Sequence, residues 1–212
     1  MEAIRSYLPA AGRDWLLPLY DPLVKWLGGD RARRALIAQA ALAPGQRVLD
    51  IGCGTGTMAT TIKKLHPTVD MAGLDPDPKA LARARRKAMR EDLRIEFQLG
   101  YGGQLPYPAV SFDRVFSAFM FHHLPADEKP RMFREARRVL KRGGEFHLVD
   151  FEAPEEGKHG LVARLFHSHV RLRDNSEAHL LEFMRQAGLV MPVRAGRGQM
   201  LMGGIAYYRA TA

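Results

Sequence analysis

The stretch VLDIGCGTG, residues 48–56, decides the fold of this chain. Its apolar residues flank one acid, Asp50, and lead into three glycines at alternate positions. Glycine adopts positive φ and has no Cβ, so the backbone can approach a ligand closely there. A β-rich run before the glycines and a helical pattern after them predict a strand–loop–helix unit, where open parallel sheets bind ligands.

The glycine spacing narrows the class of ligand. A dinucleotide loop has the spacing GxGxxG, which leaves room for a pyrophosphate over the helix N-terminus. Here the spacing is GxGxG, so the third glycine, Gly56, comes one residue early. A phosphate-binding P-loop is excluded because no Gly-Lys-Ser/Thr follows. The triplet alone remains compatible with a purely structural turn.

Strands and helices are predicted to alternate along the rest of the chain. The strands are predicted at 47–51, 69–75, 93–99, 112–120 and 145–151, and the helices at 57–65, 78–90 and 127–141. Asp77 is a credible N-cap, with Pro78 at the first helical position. Gly143-Gly144 is expected to end the third helix. Such units in series require right-handed crossovers and a parallel sheet with helices on both faces.

The C-terminal part predicts two more helices, at 158–172 and 176–189, and two more strands, at 189–195 and 200–210. A turn around Gly196–Gly198 would join these strands as a hairpin at one edge of the sheet. The predicted fold is therefore a doubly wound, Rossmann-like α/β fold: a mostly parallel, seven-stranded sheet with an antiparallel C-terminal hairpin.

A single domain is predicted over residues 1–212. Residues 1–43 contain apolar side chains such as Trp15, Leu16 and Trp26 and precede the first strand. They are expected to form helices that cover the open end of the sheet. Residues 44–212 would then form the Rossmann-like core.

The composition indicates which cellular compartment and which kinds of metal site to expect. The chain has 212 residues, of which 46% are hydrophobic, and no apolar run approaches the roughly 20 residues that span a bilayer. The N-terminus lacks the basic-then-apolar order of a secretory signal, so the predicted compartment is the cytoplasm. The single cysteine, Cys53, excludes a cysteine-rich metal site, and no His pair has metalloprotease spacing, so no metal is predicted.

The net charge of +9 has two interpretations. It could attract nucleic acid or an anionic lipid surface. Alternatively, the cations fill solvated helix faces. Much of the excess lies in the helical patterns 79–90 and 129–142, where the cations alternate with aliphatic residues rather than aromatic ones. This pattern favours solvated faces, so nucleic acid is not the predicted partner, whereas peripheral contact with a membrane surface stays open.

The acid after the second predicted strand points to a nucleoside. Asp75 stands at the tip of that strand, in the stretch GLDPDP. A carboxylate in this position accepts hydrogen bonds from both hydroxyls of a ribose in nucleotide-binding sheets. The alternative is that Asp75 only turns the chain before Pro76. Because the acid follows an apolar run directly, ribose binding is the favoured interpretation.

With these motifs the chain resembles the class I S-adenosylmethionine-dependent methyltransferases over nearly its whole length. VLDIGCGTG is similar to the first motif of that superfamily, and GLDPDP to its ribose-binding acid. LPYPAVSFDRVFSAFMFHHL, residues 105–124, resembles the fourth-strand motif, and RVLKRGGEFHLVDF, residues 138–151, the turn into the fifth strand. Within the superfamily the likeness is greatest to the small-molecule branch of ubiquinone and menaquinone biosynthesis.

The resemblance implies S-adenosylmethionine as the cofactor and S-adenosylhomocysteine as the product. It also implies the residues that would bind the cofactor: Asp50, Gly52, Cys53, Gly54, Asp75, Pro76, Gly100, Tyr101, Gly102, Ser117 and Phe119. Asp50 would anchor the loop and meet the methionine amino group through water, and Asp75 would hold the ribose. Ser117 and Phe119 would line the sulfonium.

One position departs from the family pattern. The family usually has an acid after the third strand, which accepts from the adenine amino group, but Tyr101 stands there in this chain. Tyr101 could stack on the adenine, or backbone groups of Gly102 could supply the hydrogen bonds.

Methyl transfer from a sulfonium is an in-line displacement that needs a general base only when the acceptor must lose a proton. His122 and His123 follow the fourth strand and are the candidates for that role. The alternative is a strand exit in which one histidine only bonds backbone. The predicted acceptor is a small or lipid-like molecule, with the methylated atom (C, O or N) left open. RNA methylation and a non-catalytic cofactor-binding regulator are the alternatives.

Overall fold

The structure, a computed structural model, describes residues 28–152, 176–201 and 203–212. The strands are β1 (Arg47–Ile51), β2 (Asp70–Asp75), β3 (Glu96–Leu99), β4 (Phe112–Ala118), β5 (Leu140–Phe151), β6 (Val190–Met200) and β7 (Gly203–Thr211). The helices are α1 (Gly29–Gln39), α2 (Thr57–Leu65), α3 (Pro78–Arg90), α4 (Glu128–Val139) and α5 (Glu177–Gln186), and Phe121–His123 forms one turn of 3₁₀-helix.

The seven strands form one sheet in the order β3-β2-β1-β4-β5-β7-β6. β1 to β5 are parallel to one another, β7 runs antiparallel to β5, and β6 runs antiparallel to β7 at the edge. This arrangement confirms the predicted doubly wound sheet with a C-terminal antiparallel hairpin. The strand order reverses between β1 and β4, which opens a crevice at the carboxyl ends of these strands.

Helices cover both faces of the sheet with separate apolar clusters. One cluster joins α1, α2 and α3 to the sheet through side chains such as Leu36, Ile62 and Leu81. The other cluster joins α4 and α5 to the opposite face through side chains such as Phe133 and Leu180. The central strands are buried on both faces, which explains their nearly continuous apolar sequences.

The start of α3 forms as its sequence predicts. The Asp77 carboxylate accepts a hydrogen bond from the Lys79 N–H at 2.8 Å, and Pro78 occupies the first turn. The cap satisfies an N–H that the helix cannot pair internally, and the fixed φ of proline suits this position.

The end of α4 corrects the prediction that Gly143-Gly144 stops a helix at residue 141. The helix ends at Val139, and both glycines lie within β5. Gly143 N–H donates to the Ala212 carbonyl at 3.0 Å, and the Gly144 carbonyl accepts from Ala212 N–H at 2.8 Å. Pairing with the last residue of the chain therefore extends this strand to a point that local sequence cannot indicate.

The C-terminal hairpin corrects the predicted turn. Gly196 and Gly198 lie inside β6, opposite Tyr207 and Ile205 of β7, and the strands turn between Met200 and Gly203 instead. The Tyr207 ring and the Ile205 side chain lie over these glycines, and a Cβ at Gly198 would be 3.1 Å from Ile205 Cγ1. The glycines therefore make room for side chains of the neighbouring strand rather than for a reversal of the chain.

Two predictions fall wholly or partly outside the described residues: the helical cover before residue 28 and the helix at 158–172. Of the predicted cover, the structure describes α1 and the residues after it. Within the described ranges, no helix has both the length and the apolarity required to cross a bilayer.

Candidate functional site

A cavity lies at the carboxyl ends of β1, β2 and β4, where the strand order reverses. It brings together most of the residues that the sequence singled out. Those that line it are Asp50, Gly52, Cys53, Gly54, Asp75, Pro76, Tyr101, Gly102, Phe119 and His123. Gly100, Ser117 and His122 are described by the structure and do not line it.

The three glycines of the loop all have positive φ, but they serve different purposes. A Cβ at Gly52 would be 2.2 Å from Met120 Cγ, and one at Gly56 would be 2.8 Å from the Ala84 Cβ on α3. These two glycines permit close packing within the protein. Around Gly54 nothing lies within 4 Å of an added Cβ, so the loop is open to the cavity there.

The Asp75 carboxylate fixes the loop and still faces the cavity. Oδ2 accepts from Gly54 N–H at 2.8 Å, and Oδ1 accepts from Asp77 N–H at 2.9 Å. Burial raises the pKa of Asp75 to about 6, although these two hydrogen bonds oppose the shift. A carboxylate accepts about four hydrogen bonds, so this one has capacity for the two hydroxyls of a ribose.

Asp50 lies deeper, with its Oδ2 atom buried and without a hydrogen-bond partner. Burial raises the pKa of Asp50 to about 7, and the charge of Arg33 opposes this shift. The sequence predicted that Asp50 anchors the loop. In the structure, Gly52 and Cys53 donate instead to the Leu74 carbonyl, at 2.8 and 3.0 Å. Asp50 is therefore poised to receive a cationic group, since an unpaired buried carboxylate is costly.

Arg33 reaches the same cavity from α1. This residue was not among those predicted from the sequence. Its side chain is buried, and its guanidinium lies 5.6 Å from the centre of the Phe119 ring. A cation and an acid at one end of the cavity match the two charges of an α-amino acid, which is the methionine portion of S-adenosylmethionine. Arg33 lies three and four residues before the buried Leu36 and Ile37, so it shares their apolar helix face. An arginine on an apolar face was the signal in the sequence that could have identified it.

Cys53 serves mainly in packing. Its side chain is buried, and its sulfur would lie 3.0 Å from a Cβ at Gly73. Burial raises the pKa of the Cys53 thiol well above its ordinary value, and the nearby Asp50 and Asp75 add to the shift. The thiol therefore stays protonated and unreactive.

Residues at the end of β4 alternate between the two faces of the sheet. Phe119 lines the cavity with φ of 57°, a strained conformation for an aromatic residue, and donates its N–H to the Val149 carbonyl at 2.9 Å. Ser117 is fully buried within the strand. Phe116, Ala118 and Phe119 belong to one apolar cluster, and Ala118 and Phe119 line the cavity. Ser117 alternates with Phe116 and Ala118 along the strand, so it lies on the opposite face and does not line the cavity as predicted.

The two adjacent histidines have different surroundings. His122 Nδ1 lies 2.5 Å from Asp150 Oδ1, and its backbone N–H donates to Asp150 Oδ2 at 3.1 Å. His123 lines the cavity, with its ring centre 4.0 Å from that of His122. Burial and the neighbouring His122 lower the pKa of His123 to about 3, so its imidazole is neutral at physiological pH. Of the two, His123 is the one placed to meet a ligand.

The segment after β3 forms a tight turn against α4. Gln104 N–H donates to the Tyr101 carbonyl at 3.0 Å. A Cβ at Gly100 would lie 2.9 Å from Leu74 Cδ1, so this glycine serves packing rather than ligand contact. A Cβ at Gly102 would lie 3.1 Å from Ile51 Cγ2. The turn therefore packs closely against the end of β1 at this glycine.

Two further acids near the cavity were not predicted from the sequence either. Asp150 holds His122, as described, and Glu128 on α4 lines the cavity beside Gly102. Asp150 stands near the end of a buried strand, the same signal that identified Asp75. Glu128 has no such signal, because an acid in a first helical turn is common on structural grounds alone. Among the described residues no three His, Cys, Asp or Glu side chains are grouped to hold a metal.

Comparisons with known proteins agree with this arrangement. A methyltransferase-domain family model matches residues 48–144. Demethylmenaquinone methyltransferase from Deinococcus radiodurans is 40% identical over 158 residues, covering 73% of this chain and 65% of the relative. The enzyme of the same name from Thermus thermophilus is 36% identical over 158 residues, covering 73% of this chain and 71% of the relative. The matched part thus spans about two thirds of each relative.

The fold is also similar to that of a solved structure. The Haemonchus contortus phosphoethanolamine N-methyltransferase 2, in complex with phosphomonomethylethanolamine and S-adenosylhomocysteine, superimposes with a TM-score of 0.81 at 15% identity. The match covers 100% of this chain and 61% of that chain. The fold, the glycine loop and the sequence relatives lead to one conclusion: this chain belongs to the class I S-adenosylmethionine-dependent methyltransferases, near their menaquinone and ubiquinone branch.

Proposed function

We propose that this protein transfers a methyl group from S-adenosylmethionine to a small, amphipathic acceptor of the quinone type. Both bacterial relatives are named demethylmenaquinone methyltransferases, which supports this class of acceptor. The observation that carries the proposal is the cavity itself. Its lining includes the carboxyl groups of Asp50 and Asp75 together with the side chains of Phe119, Met120 and His123.

The polar part of the lining fits the cofactor. The unpartnered Oδ2 of Asp50 suits the methionine ammonium, and the buried Arg33 guanidinium suits the carboxylate. The Asp75 carboxylate, oriented by Gly54 N–H, suits the ribose diol. When bound, S-adenosylmethionine supplies a methyl group that is activated by its positively charged sulfur.

The apolar part of the lining fits an apolar acceptor. Phe119 and Met120 present an aromatic ring and a thioether, and Leu124 and Pro125 continue this surface. Such a wall would exclude water and hold a flat, apolar ring by its faces. These contacts fix the distance and the alignment of the acceptor, which are the main requirements of an in-line displacement.

His123 is the proposed general base for an acceptor that must lose a hydroxyl proton, as a quinol does. Its imidazole is neutral and can accept this proton, but the burial that lowers its pKa to about 3 in the free protein also weakens it as a base, so the transfer requires the bound ligands to raise this pKa. His122, held by Asp150, is a positioning residue: its ring packs on His123 and keeps it turned toward the cavity.

The test measures S-adenosylhomocysteine formation with a reduced demethylated naphthoquinone that carries a short side chain. His123→Ala should reduce turnover by about 10²- to 10⁴-fold at neutral pH while cofactor affinity is kept. Turnover of this variant should recover at high pH, where the acceptor ionises without help. The exposed His179 on α5 provides the control, and His179→Ala should leave turnover unchanged.

Two results would contradict parts of this proposal. Full turnover in both His122→Ala and His123→Ala would refute the base assignment. Cofactor binding without methylation of any acceptor offered would refute the transfer activity and favour a cofactor-binding regulator instead.

The finer points of partner and location stay predictions. Methylation of RNA is disfavoured because the basic helices alternate cations with aliphatic residues, and salt-sensitive RNA binding would reverse this preference. Peripheral contact with a membrane surface would suit a lipid-like acceptor, and the exposed Arg31 and Arg34 of α1 support it. Sedimentation with anionic vesicles tests this contact. The cytoplasm remains the predicted compartment.

A further inference from the structure

The tight turn that follows β3 lies directly against the first turn of α4. A Cβ at Gly103 would be 2.2 Å from Glu128 Oε2 and 3.2 Å from Arg131 Cβ. A side chain at this position would displace the Glu128 carboxylate, which occupies the space that its Cβ would need. The packing therefore places a carboxylate from α4 beside the turn formed by residues 101–104.

Glu128 also lines the cavity. It is one of the lining residues, together with Tyr101 and Gly102, and only 16% of its side chain is exposed. Arg131 Nη1 donates to Glu128 Oε1 at 3.0 Å, which fixes the orientation of the carboxylate. A carboxylate has about four acceptor positions, so Glu128 can accept from more than one donor at a time.

The order of the strands indicates which part of the cofactor lies near Glu128. Asp75 ends β2, between β1 and β3. The paired charges of Asp50 and Arg33 lie on the β1 side, where they suit the methionine portion. The base attached to the ribose must therefore extend to the opposite side, toward Pro76 and the turn after β3.

We propose that Glu128 accepts a hydrogen bond from the exocyclic amino group of the adenine. The acid that this family usually carries after β3 is replaced by Tyr101. Glu128 supplies a carboxylate to the same region from a different element, α4. An ionised carboxylate can only accept, so it selects an amino group over a carbonyl oxygen at this position of the base. The proposal rests on the cofactor of the family and not on the proposed acceptor.

The experiment compares two ligands by isothermal titration calorimetry. S-adenosylhomocysteine carries the amino group, and S-inosylhomocysteine carries a carbonyl oxygen in its place. The protein should prefer the adenosyl ligand by about 10- to 100-fold, the range for a hydrogen bond to a charged group. Glu128→Gln should reduce this preference to less than about fivefold, because its amide can also donate to a carbonyl.

The chain offers a matched control. Asp127 adjoins Glu128, lies 3.9 Å from the same Arg131, and has 68% of its side chain exposed. Asp127→Asn removes the same charge from the same helical turn and should retain the full preference. Tyr101→Phe should retain it as well, because the tyrosine hydroxyl is not the proposed acceptor.

Three outcomes would overturn the proposal. These are an unchanged preference in Glu128→Gln, a protein that does not distinguish the two ligands, and loss of the preference in Tyr101→Phe. Equal weakening of both ligands by Glu128→Gln, with an unchanged unfolding midpoint, would also count against it by indicating a general effect on the cavity. Binding is measured without an acceptor, so failure of the proposed quinone methylation would not affect this result.

Discussion

The buried carboxyl groups of Asp50 and Asp75 are expected to couple cofactor binding to proton release. Burial raises the pKa of Asp50 to about 7 and that of Asp75 to about 6. A raised carboxyl pKa favours the neutral form in the free protein. The ammonium of the ligand favours ionised Asp50, and the ribose hydroxyls favour ionised Asp75. Affinity for S-adenosylhomocysteine should therefore increase as pH rises.

The size of the effect follows from the two pKa values. Asp50 is about one-tenth ionised at pH 6 and about half ionised at pH 7. Asp75 is about half ionised at pH 6 and about nine-tenths ionised at pH 7. If binding requires both groups ionised, affinity should rise about tenfold over this interval. The α-amino group of the ligand belongs to a free amino acid, whose pKa lies above the value of about 7.8 for a peptide N-terminus, so it stays protonated throughout.

Calorimetry in two buffers of different ionisation enthalpy measures both the affinity and the protons released. We expect release of about 1.4 protons per ligand at pH 6, of which about 0.9 come from Asp50. Asp50→Asn should weaken binding and reduce the pH dependence to the roughly twofold effect of Asp75. Asp127→Asn serves as the control and should behave like the unmodified protein. Affinity that does not change between pH 6 and pH 7, or an unreduced pH dependence in Asp50→Asn, would refute the reasoning.

Three further predictions concern stability and ligand contacts. Gly56→Ala should lower the unfolding free energy by about 2–4 kcal/mol, because it adds a 2.8 Å clash to the positive-φ cost. Gly45→Ala, with the same φ of 76° and open surroundings, should cost about 1 kcal/mol in urea denaturation. Equal costs would contradict the packing argument. Without ligand, Asp50→Asn should gain stability relative to the unmodified protein as pH rises from about 4 to 7, because the raised pKa of Asp50 disfavours folding in this range, as thermal unfolding can check. His123 and His147, whose pKa values burial lowers to about 3, act in the opposite direction in both proteins and cancel in this comparison. Arg33→Met should weaken the binding of S-adenosylhomocysteine about tenfold and leave the binding of its decarboxylated analogue unchanged. Equal weakening of both ligands would contradict the proposal that Arg33 binds the ligand carboxylate.

The local parts of the site were predictable from the sequence because each depends on residues close together in the chain. Gly52, Gly54 and Gly56 require positive φ whatever surrounds them, so their spacing marks the loop. Asp75 follows a buried strand, and strand ends of a parallel sheet meet at one edge. The cap at Asp77 involves only the next two residues.

Side-chain orientation was less predictable, because it depends on partners far along the chain. His122 and His123 are equivalent in sequence, and the carboxylate of Asp150, twenty-eight residues away from His122, separates their roles. Ser117 seemed to leave β4 toward the ligand, but strand alternation turns it to the other face. The glycines of β6 resemble a turn until the side chains of β7 are placed over them.

The sequence by itself determined the α/β fold, the glycine loop and the acid at the end of β2, because periodicity and glycine conformation are properties of short segments. Only the tertiary structure decided that Arg33 and Glu128 reach the cavity from α1 and α4, and that His123 rather than His122 faces it. These features arise where distant segments pack together, and the same burial raises the carboxyl pKa values. The sequence thus encodes the elements locally, whereas packing assigns the chemistry of the cavity.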